Sequence, residues 1–276
     1  MLRLCAILGL ARLLAQPVPP PGRMIDIGGR RLHLHCSGES SPTVVVTGAG
    51  YSFDWGLVQP EVAKFARICT YDPAGFAWSD AGPGPGCADR AADLRKLLQA
   101  AGIEGPYVLT GLSYGALVAR YYTQQFPGDV AAIVIVDHAF LDPGPSNPPP
   151  PGAPVLISQT PIVLSMEDIS RFGNLPREAR DLHRWADAQG PPMPSVATAR
   201  ECQAMVERKS LGSRPLVVVS TRNDAPNYGP LQTKLLKLSE NSRQIFAERS
   251  FHAVQIDEPE VVVEAIRLAV DAVRKQ

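Results

Sequence analysis

The chain has 276 residues, 45% of them apolar, which is enough to bury one large core and suits a single α/β catalytic domain with insertions. Its 27 basic and 27 acidic residues cancel, so no net field draws phosphate backbones or anionic lipid headgroups, and a nucleic-acid partner is not expected. The balance points instead to a small, mostly uncharged molecule.

Residues 1–16, MLRLCAILGLARLLAQ, join an early Arg3 to an apolar stretch interrupted by Arg12. A bilayer span needs ~20 apolar residues, so no stable membrane span is expected. An export signal and an amphipathic helix fit equally well, which leaves cytoplasmic and exported or peripheral locations both open. Cys5, Cys36, Cys69, Cys87 and Cys202 form neither a CxxC pair nor a metal-ligand spacing, and their odd number cannot pair completely. They read as buried or spare thiols.

Met24 to Ser37 reads as two short strands around Gly28-Gly29, a hairpin at a sheet edge whose His33 and His35 are expected at the surface. The β-branched run Thr43 to Thr47 enters the tight loop Gly48-Ala49-Gly50 as a fully buried strand would. Trp55 to Phe65 has a helical pattern, and Ala66 to Tyr71 is a further strand closed by Asp72-Pro73-Ala74-Gly75. Asp89 to Gly102 has helical apolar spacing, with Asp89 as N-cap and Gly102 as stop. The strand Tyr107 to Thr110 leads directly into Gly111-Leu112-Ser113-Tyr114-Gly115, a helical stretch follows up to Pro127-Gly128, and Ala132 to Val136 is the next strand.

The alternation then stops. From about Phe140 to Pro215, the proline-rich run DPGPSNPPPPGAP precedes helical segments, EDIS, REARDLHRWADA and TARECQAMVERK, that suit a packed lid. Pro215 to Ser220 resumes the strands, Asn223-Asp224 follows in a loop, Gln244 to Ala247 is the last strand, and EPEVVVEAIRLAVDAVRK closes as a helix with Pro259 in its first turn. The expected organisation is an N-terminal segment and linker (1–22), an α/β core (23–139 and 214–276) and a helical cap (140–213). Strands apolar on both faces and alternating with helices make the sheet mainly parallel and covered on each side.

Gly111-Leu112-Ser113-Tyr114-Gly115 fits G-x-S-x-G, in which a strained strand-to-helix turn lifts the serine hydroxyl clear of the sheet. A serine becomes nucleophilic only when a neighbouring base takes its proton. Five histidines could do so. His183 lies in the expected cap and His138 could border the site. His252 falls after the last strand and before the last helix, where a chain order of Ser, acid, His places the base. For the acid, Asp224 follows a strand at the carboxyl end of the sheet, where sites of open parallel sheets gather; Asp137 also ends a strand and is the rival. The expected oxyanion donors are the backbone N–H groups of Tyr114 and Ala49.

From about Pro20 to Lys275 the chain resembles the bacterial α/β-hydrolase superfamily of esterase, epoxide-hydrolase and haloalkane-dehalogenase relatives. The resemblance rests on six collinear pieces: VVVTGAGYSFDW, ICTYDPAGFAWSD, GPYVLTGLSYGALVARYY, IVIVDHAFLD, PLVVVSTRND and FHAVQIDEPEVVVEAI. It implies Ser113 as nucleophile, Asp224 as acid, His252 as base and Ala49 and Tyr114 as oxyanion donors, with no cofactor. Serine at the elbow departs from the aspartate of the epoxide-hydrolase and dehalogenase relatives, which leaves ester, thioester or amide hydrolysis. Thr47, Leu112 and Ala116 depart from residues frequent in the family and alter the pocket wall, to which Tyr51 and Trp55 are expected to contribute. The expected activity is that of a serine esterase on a small carboxylic ester. The alternatives are an amidase, aminopeptidase or thioester hydrolase, with Glu167-Asp168 as a weak amine-recognising pair, or a slow-turnover ligand-binding relative.

Overall fold

Arg23–Asp26 (β1) and Arg31–Ser37 (β2) form the edge hairpin around Gly28 and Gly29, whose φ values of 102° and 90° suit glycine. Residues 19–48, 50–138, 174–206, 209–221, 232–250 and 252–276 are described by the structure, a computed structural model. The remaining strands are Val44–Thr47 (β3), Ile68–Tyr71 (β4), Tyr107–Ser113 (β5), Val130–His138 (β6), Leu216–Thr221 (β7) and Ser242–Ala247 (β8). They form one eight-stranded sheet in the order β1-β2-β4-β3-β5-β6-β7-β8, with β1, β2 and β4 joined antiparallel and every later pairing parallel.

The central strands are apolar on both faces because each face has its own helices to meet. Leu109 of β5, Ile133 and Ile135 of β6 and Leu216 and Val218 of β7 pack against Leu94, Leu97 and Leu98 of Cys87–Ala100 (α2) and against Ala116, Ala119 and Tyr122 of Tyr114–Gln125 (α3). The alternate residues, Val108, Val134, Val136, Val217 and Val219, face the other way, onto Val62 of Gln59–Val62 (α1) and onto Val262, Ala265, Ile266 and Ala269 of the last helix, Pro259–Arg274. The two-residue period of a strand thus divides one sequence run between two layers. Each fully buried branched side chain there contributes roughly 1.5–3 kcal/mol.

Between β6 and β7 the chain leaves this alternation. Arg177–Asp187 (α4) packs on the 3-10 turn Ser52–Trp55, and Val196–Val206 (α5) packs on α3. Val254–Asp257 (α6) then precedes the closing helix, α7. The EDIS segment lies outside the described residues.

Several expectations need correction. The helical pattern over Trp55 to Phe65 resolves into a 3-10 turn and the single turn α1, because Pro60 favours a helix start and cannot continue one. Gly86, not Asp89, is the N-cap of α2; Asp89 lies in the first turn, where its carboxylate complements the helix dipole. Four cysteines expected as thiols form two disulfides. Cys36 and Cys69 face each other across β2 and β4, and Cys87 at the start of α2 is bonded to Cys202 of α5. Their sequence separations of 33 and 115 residues carry no local signal, since each pair is brought together by tertiary structure. His33, expected at the surface, is fully buried with Nδ1 2.7 Å from Asp72, because β2 is covered at this point by the loop that follows β4. Among the described residues, no helix is long and apolar enough to cross a membrane.

Candidate active site

Ser113 ends β5 and its successor opens α3, so the backbone must turn from strand to helix at one residue. It does so at φ 53° and ψ −119°, a conformation that a side-chain-bearing residue adopts only under local constraint. The constraint comes from the flanking glycines and from Thr47. A Cβ on Gly111 would collide with the backbone of Gly115 and come within 2.6 Å of Ala116 N, so only glycine lets the incoming strand pass this close to the helix. Thr47 Oγ1 lies within reach of the carbonyls of Gly115 at 2.9 Å and Thr110 at 3.2 Å, pinning the end of β3 to the elbow. Tyr114, the first residue of α3, has its N–H at the helix N-terminus, where the dipole favours negative charge. Its ring is buried, its hydroxyl donates to Pro85 O at 2.9 Å, and burial pushes the phenol up to about 12.

The turn after β3 is held from beneath by Arg90, a buried guanidinium on α2 whose Nη1 donates to Gly48 O at 3.2 Å. The same guanidinium carbon stands 5.1 Å from the ring centroids of both Phe76 and Tyr114. Ala49 lies outside the described residues. Trp55, expected on the pocket wall, is buried in the core with Val58 and Val62. Tyr51 packs in an aromatic cluster with Phe53 and Phe76, and its hydroxyl donates to Asp187 of α4 at 2.7 Å.

On the other side of the elbow, His252 keeps a side chain one-third exposed, with Nδ1 2.5 Å from Asp137 Oδ2. The carboxylate is itself buried and oriented: Asp137 Oδ1 accepts from Thr221 Oγ1 at 2.8 Å and from Gln232 Nε2 at 3.2 Å. Asp137 stands at the tip of β6, directly beside β5, and in this register Ser113 pairs with His138. Asp137 also has a positive φ, 38°, so both strand ends depart from extended geometry where they reach the site. Asp224, the sequence choice for the acid, lies outside the described residues; the carboxylate that meets the imidazole is the rival, Asp137. What could have identified it is adjacency: in a parallel sheet, the acid ending the strand next to the elbow strand is already near the elbow serine. Thr221 and Gln232 had no sequence signal of their own.

The loop before His252 is fastened by Glu258, which accepts from the N–H groups of Arg249 and Ser250, each at 2.7 Å, and from Ser250 Oγ at 2.9 Å. Burial would raise this carboxyl, but these donors outweigh it and hold it below the usual carboxylate range. His138 is buried beneath the elbow, with Nε2 3.1 Å from Arg120 Nη1. Among the described residues, no group of three or more His, Cys, Asp or Glu side chains is arranged to hold a metal ion.

Comparison with known proteins agrees with this architecture. Residues 44–161 match the α/β-hydrolase fold family. The chain is 26% identical over 252 residues to the uncharacterized protein YqjL of Bacillus subtilis (strain 168), covering 87% of this chain and 88% of that one. It is 29% identical over 121 residues to 2-hydroxy-6-oxo-2,4-heptadienoate hydrolase of Pseudomonas putida, over 42% of this chain and 44% of the relative. Among solved structures it is similar to a thermophilic esterase from Thermogutta terrifontis, with a TM-score of 0.66 at 22% identity, over 88% of this chain and 94% of that one. The chain therefore has the α/β-hydrolase fold, and residues 44–161 match the family that the fold defines.

Proposed function

We propose that the protein is a serine hydrolase that cleaves a small carboxylic ester through an acyl-enzyme, with Ser113 as nucleophile, His252 as base and Asp137 as the orienting acid. The observation that supports this most is the contact between His252 Nδ1 and the buried Asp137 carboxylate, in a loop that follows the last strand of a sheet whose β5 ends in a strained serine. With Nδ1–H donated to Asp137, the tautomer leaves Nε2 without a proton and so able to accept one.

In this mechanism Ser113 Oγ attacks the ester carbonyl while its proton passes to His252 Nε2. The resulting oxyanion is met by the N–H of Tyr114 and by that of Ala49. The bond to the leaving oxygen breaks as His252 returns the proton to the alcohol, and the acyl group stays on Ser113. Water then attacks the acyl carbon and gives its proton to His252, which passes it to Ser113 Oγ as the Ser113–acyl bond breaks and the acid leaves. Serine as nucleophile favours this acyl route over the alkyl-ester route of aspartate-bearing relatives.

The helices between β6 and β7 suit a cap, residues 140–213, packed against the core through α4 and α5. The two disulfides favour export for a chain with so apolar an opening, since such bonds persist in oxidising compartments. Ser113→Ala is expected to abolish turnover of a short p-nitrophenyl ester while leaving the circular dichroism spectrum unchanged. Turnover at the original rate in a folded Ser113→Ala protein rules the reading out.

A further inference from the structure

Asp54 has its two carboxylate oxygens on two different parts of the molecule. Oδ2 accepts from Tyr51 N at 2.9 Å and lies 2.7 Å from where a Cβ on Gly50 would stand, so it lies against the turn that leaves β3. Oδ1 stands 2.6 Å from Nε2 of His183, which is carried by α4 on the excursion between β6 and β7. Both side chains are nearly buried, at 10% and 13% exposure, so the pair is only weakly screened by solvent. The imidazole is also held edge-on to the rings of Tyr51 and Phe53, with centroids 5.3 Å and 4.9 Å away, and a second tie runs from Tyr51 Oη to Asp187 one turn further along α4.

We propose that Asp54 and His183 are positioning residues that couple the docking of α4 to the shape of the oxyanion turn, through a pair that is strongest when the imidazole is protonated. This rests on the serine-hydrolase reading above. Two described contacts hold the residues that flank Ala49: Arg90 on the Gly48 carbonyl, and Asp54 on the Tyr51 N–H beside Gly50. Oxyanion donors stabilise a transition state only when they are fixed before the charge develops. A loosened Asp54 therefore lowers kcat and leaves KM nearly unchanged.

The ionisable groups described around His183 are Asp54 from the 3-10 turn, Asp187 from its own helix and the Tyr51 phenol. Burial alone would push the imidazolium down, but the Asp54 pairing and the Asp187 charge outweigh it and raise His183 above its ordinary 6.5. A group raised in the folded state stabilises it fully below its unfolded value and loses that contribution as pH rises through the folded one. The latch is therefore complete at mildly acidic pH and weakens above 6.5. His252 has the opposite requirement, since it must be neutral to accept the serine proton.

The test is kcat and KM for a short p-nitrophenyl ester from pH 5 to 9 in wild type, His183→Gln and Asp54→Asn, with tryptophan emission recorded in parallel. Trp185 lies on α4, 5.3 Å from Trp78, and reports the docking of the helix. In wild type, kcat should fall about fivefold or more toward high pH as His183 loses its proton. An emission step should share the midpoint of that fall. Both the fall and the step should disappear in His183→Gln, and Asp54→Asn should have a low kcat throughout with KM little altered. Identical kcat profiles in wild type and His183→Gln, with no emission step in either, overturn the proposal. Should Asp54→Asn fail to fold, His183→Gln carries the test alone, since it leaves the Asp54 contact with Tyr51 intact. The emission step needs no turnover, so a failure of the latch is distinguishable from a failure of the hydrolase reading, which Ser113→Ala tests.

Discussion

Asp137 and Ser113 both have a positive φ although neither is glycine, and they end neighbouring strands. Strain of this kind, of order 1–3 kcal/mol per residue, persists only where the surroundings over-determine it. Here those surroundings are the Thr47 and glycine contacts on one side and the Thr221 and Gln232 donors on the other. The strained turn at Ser113 was legible because its motif, strand and helix all lie within one short stretch of sequence, and the place of His252 after the last strand followed from the order of elements. Asp137 ranked second because linear reading favours the strand after the excursion; its contact with His252 runs sideways, from the tip of β6 to the loop after β8. If Asp137 orients His252, Asp137→Asn leaves the imidazole in the wrong tautomer and should lower kcat about 10³–10⁴-fold. Asp224→Asn should leave ester turnover near wild type. The reverse pattern in steady-state kinetics of the two variants contradicts the assignment.

Among the elements, those with a strong period were read from sequence nearly to their ends: β3, β7, α2, α3 and α7 follow from β-branched runs, helical spacing and the placing of Gly102 and Pro259. The stretch after Gly50 was not, because its 3-10 turn and the single-turn α1 are shaped by packing against β4 and α7 and lack a repeat of their own. Cysteine pairing was equally hidden. The bond between Cys87 and Cys202 joins α2 to α5 beside Tyr114, Leu117 and Val118, so it holds the excursion against the helix that carries the elbow. Closing a loop of this length contributes about 2–5 kcal/mol, which corresponds to roughly 5–10 °C in a chain of this size. Cys202→Ser should lower the melting temperature by about that amount under non-reducing conditions. Equal melting of the variant and the oxidised wild type by differential scanning fluorimetry contradicts a stabilising bond.

At the scale of the whole molecule, the doubly apolar strands specified a covered parallel sheet, and the even charge balance agreed with a site built for orientation more than for attraction. The layers place the tips of β3, β5 and β6 and the loop after β8 on one rim, so residues from distant parts of the chain meet without a long loop between them. The aromatic cluster between the post-β3 turn and α4 was not foreseen, because four of its nine members lie on the excursion and their partners more than a hundred residues earlier. The central claim is that this rim makes one hydroxyl reactive. Treating the intact protein with a fluorophosphonate at neutral pH and mapping the adduct by peptide mass spectrometry tests it most directly. A single stoichiometric adduct on Ser113, formed far more slowly in Asp137→Asn, is the expected result; an unlabelled Ser113, or an adduct on another serine, contradicts it.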